Sequence, residues 1–188
     1  KPERRKQDPE KGLKGMKSGA LRFALKAAMD QGNQKLVFRL AEKAANCEDV
    51  ELRDIAVDAL NWYGVDAIPE LLPFMLDTDQ QIINKAFDAV DLALANVENE
   101  RQRMELLAVA MKYANDEDQA RSLLSKCETV SPIAGIRTLV NLIEGQPDSV
   151  LADLCREEYE DLVGRPYRNR DEAERMGRYL KRLEEKEE

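Results

Sequence analysis

One pattern recurs along this chain with a period near thirty residues, and few folds tolerate such a pattern. Leu52-x-x-x-Ala56-x-x-Ala59-Leu60 returns as Ile82-x-x-x-Ala86-x-x-Ala89-Val90, an offset of 30 residues, and Asp49 returns as Asp79 at the same offset. A weaker copy, Ala20-x-x-x-Ala24-x-x-Ala27-Ala28, lies 32 residues upstream of the first. Positions i, i+4, i+7 and i+8 share one face of a helix. A helical unit of this size cannot bury its apolar face alone, so neighbouring units must stack. Alanines at the crossings let backbones approach, while leucine and isoleucine fill the space between.

The rest of the chain keeps the same rhythm. Leu52, Ile55, Ala56, Ala59, Leu60 and Tyr63 form the stripe of one helix, which Gly64 ends. Asp66 is expected to cap the next helix, with Pro69 in its first turn and Ile68, Leu71, Leu72, Met75 and Leu76 as its apolar stripe. Asn33, Ser131 and Asn169 are expected caps further along, the last with Glu172 at capping-box spacing. The expectation is an all-α fold, a right-handed α-α superhelix of about five antiparallel helix pairs. A basic tail over residues 1–17 should precede a single domain over residues 18–188.

The stretch Leu52-Arg53-x-x-Ala56-x-x-Ala59-Leu60, then Gly64, then Ala67-Ile68-Pro69-x-Leu71, with an aspartate before the next copy, resembles a HEAT repeat of the short bacterial kind. The resemblance is best over residues 49–94. It implies an armadillo-like α-solenoid scaffold that binds a protein partner without catalysis. Similar solenoids include DNA glycosylases and bilin lyase subunits, and an enzyme or lyase-type chaperone of those kinds is the alternative. The second copy carries Ile83 where Arg53 stands, which interrupts any aspartate–arginine ladder.

Composition narrows the chemistry. The chain has no histidine. Histidine-based triads, histidine-ligated zinc and histidine pH switches are therefore excluded. Glycine-rich phosphate loops and nucleophile elbows are absent as well. The net charge is -8. Residues 1–17 hold seven Lys/Arg against three acids, which leaves about -12 on the remainder. An acidic body argues against a nucleic-acid groove. No apolar run is long enough to span a bilayer. Neither cofactor nor metal is expected: Asp77-x-Asp79 lacks the glycine and distal glutamate of a calcium loop. The other acid clusters are expected mainly at helix starts or in loops, where they favour the helix dipole or keep the surface solvated.

Two aromatics fall off their stripes, Trp62 beside Asp58, and Phe74 in line with Glu70 and Asp77. Glu70, Phe74 and Asp77 are the candidate protein-binding residues, although for both rings packing against the next repeat is the favoured expectation. Cys155 falls on an apolar stripe and should be buried, whereas Cys47 and Cys127 should be exposed. The chain starts at Lys1 rather than methionine and opens on charged residues. Export, periplasmic or anchored, is the expectation, and a cytosolic origin is the alternative.

Overall fold

The computed structural model describes residues 15–187, so most of the expected basic tail lies outside the described residues. Every regular element among them is helical. The chain divides into two compact units, one closing at Tyr63 and the other starting at Gly64.

The first unit contains α1 (Ser18–Asp30), α2 (Gln34–Ala45) and α3 (Val50–Asn61). Asn33 caps α2 by accepting from the Leu36 amide, and Asp49 caps α3 by accepting from Leu52. Gly32, at φ 62°, makes the left-handed turn between α1 and α2. The helices pack mutually, α2 on both α1 and α3, and α1 on α3. Their shared core includes Leu25, Val37, Leu40, Ala56 and Leu60, all essentially inaccessible. The Tyr63 ring meets Phe38 edge-on at 5.4 Å.

A charged clasp joins α1 to the start of α3. The Arg22 guanidinium donates to Asp49 Oδ1 at 2.6 Å and Oδ2 at 2.8 Å, and also to Glu51. Arg22, then the Leu52 amide, hold the Asp49 carboxyl below its ordinary value. A carboxyl depressed in this way stabilises the fold above its ordinary value near 3.8, and that contribution disappears as pH falls through the depressed value. Acid titration of Asp49→Asn should therefore show a gap from the parent at neutral pH that closes in acid. A gap independent of pH would mean that the pair contributes nothing through charge.

The second unit opens with a 3-10 turn (Gly64–Ala67), a single α-turn α4 (Ile68–Leu71) and a second 3-10 turn (Leu72–Leu76). The sequence predicts one continuous helix here. Pro73 prevents it, since it has no N–H and its ring crowds the carbonyl four residues earlier, whereas Pro69 sits in the first turn, where its N–H is not required. Asp66 lies inside the first 3-10 turn instead of capping a helix. Beyond this, α5 (Gln80–Ala95) is capped by Asp79, and α6 (Glu100–Ala110) by Asn99. Next come α7 (Glu117–Leu124), with its 3-10 extension Ser125–Thr129, α8 (Pro132–Gly145), α9 (Val150–Val163) and α10 (Arg170–Glu187). Asn169 accepts from the Glu172 amide, as the capping-box spacing predicts. None of these helices is long and apolar enough to cross a membrane.

Arginines tie several joints to the helices that follow them. Arg53 donates to the Cys47 carbonyl at 2.6 Å, and Arg103 to the Val97 carbonyl at 2.6 and 3.0 Å. Arg156 donates to the Pro147 carbonyl at 2.7 Å. In each case the acceptor lies two residues before the helix cap.

α8 is the centre of the second unit. Its residues Gly135, Ile136, Leu139, Val140, Leu142 and Ile143 are buried, because α6, α9, α10 and the Ser125–Thr129 turn all pack on it. Ser131, the expected cap, makes no capping bond. Its backbone N–H and its hydroxyl instead donate to the two oxygens of Glu100. Since Glu100 opens α6 and Ser131 precedes α8, the two helices begin side by side and run parallel. The last expected hairpin takes another form. Arg170 at the start of α10 reaches Asn141 and Glu144 late in α8, while Gly177 lies against Ile133 and Ile136 early in α8. α10 thus lies antiparallel on α8, and the connection through Gly164 and Pro166 gives it room to cross. Tyr167 anchors that connection, donating to Glu144 and meeting Tyr159 edge-on at 5.5 Å.

Candidate interaction groove

A broad concavity lies between the parallel helices α6 and α8. It encloses about 680 Å³ and opens to solvent. Met104, Ala108, Ile133 and Ala134 supply its apolar surface, and Glu100, Arg101, Glu105, Arg137, Thr138 and Asn141 its polar one. The Glu100–Ser131 clasp closes one end. That carboxylate also faces the amino end of α8, where the helix dipole favours negative charge. Thr138 is turned inward, its hydroxyl donating to the Ala134 carbonyl within α8.

On the far side of Arg137 a narrow cleft of about 30 Å³ separates α8 from α10, bordered by Arg170, Glu174 and Arg178. Arg137 therefore stands on the ridge between the two hollows. Its neighbours are answered within the protein. Arg101 pairs with Glu105 at 2.9 Å, Arg170 with Glu144 at 2.6 Å, and Arg178 lies 3.7 Å from Glu174. Arg170 and Tyr167 hold the Glu144 carboxyl below its usual range. Arg137 is exposed and has no carboxylate partner among the described residues.

No protein-family model, curated protein or solved structure matches this chain.

The residues expected to bind a partner are arranged differently from the helical projection. Phe74 is 1% exposed, so its ring belongs to the core and offers no surface to a partner. Leu76, expected in the core, is 58% exposed. The cause is the 3-10 geometry of Leu72–Leu76. At three residues per turn Phe74 follows Leu71, a core position, and Leu76 turns outward. Glu70 is half-buried with an enclosed Oε2, and Asp77 is half-buried, accepting from the Asp79 amide at 2.9 Å. The three do not form one exposed face. Trp62, by contrast, is 82% exposed, against the expectation that an off-stripe ring packs on the next repeat.

The cysteines also divide differently. Cys155 is buried as expected, but so is Cys127, because the Ser125–Thr129 turn folds under α8. Burial pushes both thiols up to about 12, so neither is a thiolate at neutral pH. Cys47 is half-buried, with its sulfur 3.3 Å from the Lys43 carbonyl. Among the described residues no group of three His, Cys, Asp or Glu side chains is placed to hold a metal ion.

Sequence reasoning missed the groove because its lining comes from two helices that are not consecutive. One signal was present. Arg137 is the lone charge in Pro132–Ile143, an otherwise apolar run apart from Thr138 and Asn141. A cation placed there faces either solvent or a partner.

Proposed function

We infer that this chain is a non-enzymatic scaffold built from HEAT-like helix hairpins, and that it binds a protein partner in the α6–α8 groove. The observation that carries this reading is the parallel setting of α6 and α8 around an open, largely apolar hollow. Helices two apart in sequence pack side by side elsewhere in the second unit: α7 on α9, and the Leu72–Leu76 turn on Met111–Tyr113. That is the neighbour relation of stacked hairpins. The thirty-residue recurrence and the alanine-lined crossings agree with it. A solenoid is the architecture we propose for these hairpins, with α10 set across the last of them. The groove combines apolar contact area with charged and polar side chains from both helices, the mixture found at non-obligate protein interfaces.

Filling the groove tests the reading. Ala108→Trp places an indole in the hollow from a half-exposed position, whereas Val109→Trp adds the same bulk at an exposed neighbour outside the lining. Affinity capture from lysate should lose its partner with Ala108→Trp and keep it with Val109→Trp. Capture that survives both substitutions, or depends on neither, overturns the assignment to this groove.

A further inference from the structure

We propose that the joint between the Ser125–Thr129 turn and α9 is an acid-strengthened latch, held firmly while Glu158 of α9 is neutral and loosened once it is ionised. Such a latch belongs to the body of the second unit and is independent of the groove reading above.

The turn has little room to relax. Its Cys127 carbonyl lies so close to α8 that a Cβ at Gly135 would come within 2.7 Å of the oxygen. The thiols of Cys127 and, on α9, Cys155 are both buried at this joint. Glu158 reaches it from α9. Its side chain is half-buried, and its Oε1 is enclosed with no hydrogen-bond donor. An ionised carboxylate in that position loses water on one oxygen and gains no donor. The charges that face it add to the cost. Glu128 comes from the turn and Asp161 from its own helix, and Arg121 of α7 is the opposing cation. That guanidinium is already engaged by Glu117 at 2.8 Å and by Glu157 at 2.9 Å. α8, also packed on α9, sets no charge against Glu158.

Desolvation first, then Glu128 and Asp161, push the Glu158 carboxyl above its ordinary value. The fold consequently holds this proton more tightly than the unfolded chain does. The cost of ionisation is fully present above the raised value, shrinks as pH falls through it, and is gone below the ordinary value of 4.5. The Asp49 clasp of the first unit has the opposite sign, so the latch has to be read at the turn itself. From the turn the chain passes through Val130 to Ser131, whose clasp on Glu100 sets α8 beside α6. Loosening of the latch therefore reaches the amino end of α8.

The test is hydrogen exchange of the full chain, read by mass spectrometry, with parent and variants compared at the same pH so that the intrinsic pH dependence of exchange cancels. At neutral pH, Glu158→Gln keeps the shape and removes the charge. It should slow exchange across the Ser125–Thr129 turn by about fivefold or more, the lower end of what an undonated buried oxygen costs. Below the ordinary value of 4.5, where Glu158 is neutral in the parent too, the two chains should exchange alike. Glu128→Gln should give a smaller slowing with the same pH dependence, and Glu160→Gln, exposed on α9, should change little. Circular dichroism of each variant checks the fold. Equal exchange at neutral pH, faster exchange in Glu158→Gln, or a difference that persists in acid each overturns the proposal. If Glu158→Gln fails to fold, Glu128→Gln decides: a slowing that closes in acid supports the latch, and its absence sinks it.

Discussion

Phe74→Ala is expected to cost the second unit about 3–5 kcal/mol, the usual loss when a large buried aromatic is truncated. The ring is almost wholly enclosed, in a turn that packs on α5 and on Met111–Tyr113. Removing it takes away apolar burial and leaves a void that rigid neighbours cannot fill. Urea unfolding followed by circular dichroism should show an earlier midpoint for that unit. The same experiment decides between two roles. A partner anchor would leave the midpoint in place and lower capture, whereas a core residue lowers the midpoint. Leu76→Ala, two residues on and exposed, should shift the midpoint little. The reverse order for the two variants would return Phe74 to the surface.

Gly135→Ala is expected to be the next most damaging change. A Cβ at this position would lie 2.7 Å from the Cys127 carbonyl oxygen, a distance that carbon and oxygen do not share without movement. The obstacle is backbone, so it cannot swing aside as a side chain can. Alanine ordinarily gains up to about 1 kcal/mol over glycine in a helix interior. Here overpacking at about 1–3 kcal/mol exceeds that gain. Gly177→Ala offers the comparison, since its added carbon would rest 3.4 Å from Ile133 Cα, a tight but tolerable contact. Thermal unfolding should rank Gly177→Ala close to the parent and Gly135→Ala well below it. Equal melting of the two variants would show that the α8 crossing yields easily.

How much of this was legible beforehand depends on whether a feature is local. The helices at Leu52 and Ile82 and the caps at Asn33 and Asn169 are written in contiguous residues, and they appear as read. The failures begin where two local signals compete. Pro73 competes with a regular apolar stripe, and the resulting 3-10 turn exchanges the faces of Phe74 and Leu76. The spacing of Cys127 from a helix end suggested exposure, yet its burial depends on a turn folding beneath α8, far along the chain. The groove was least accessible to such reasoning. Its walls come from α6 and α8, and the clasp between them, Glu100 to Ser131, spans 31 residues with no motif to mark it. The direction of α10 likewise depends on the reach of Arg170 to Glu144, a tertiary contact without a sequence signature.

The arginines at the joints have a mechanical consequence. Each anchors the carbonyl of a connecting bend to the body of the following helix. Such a bend cannot stretch into the extended strand that a protease cleft requires until the first turns of that helix have unwound. At these three bends, points that elsewhere act as soft spots for nicking share the fate of the rods they connect, so cleavage there must wait for fraying of the following helix.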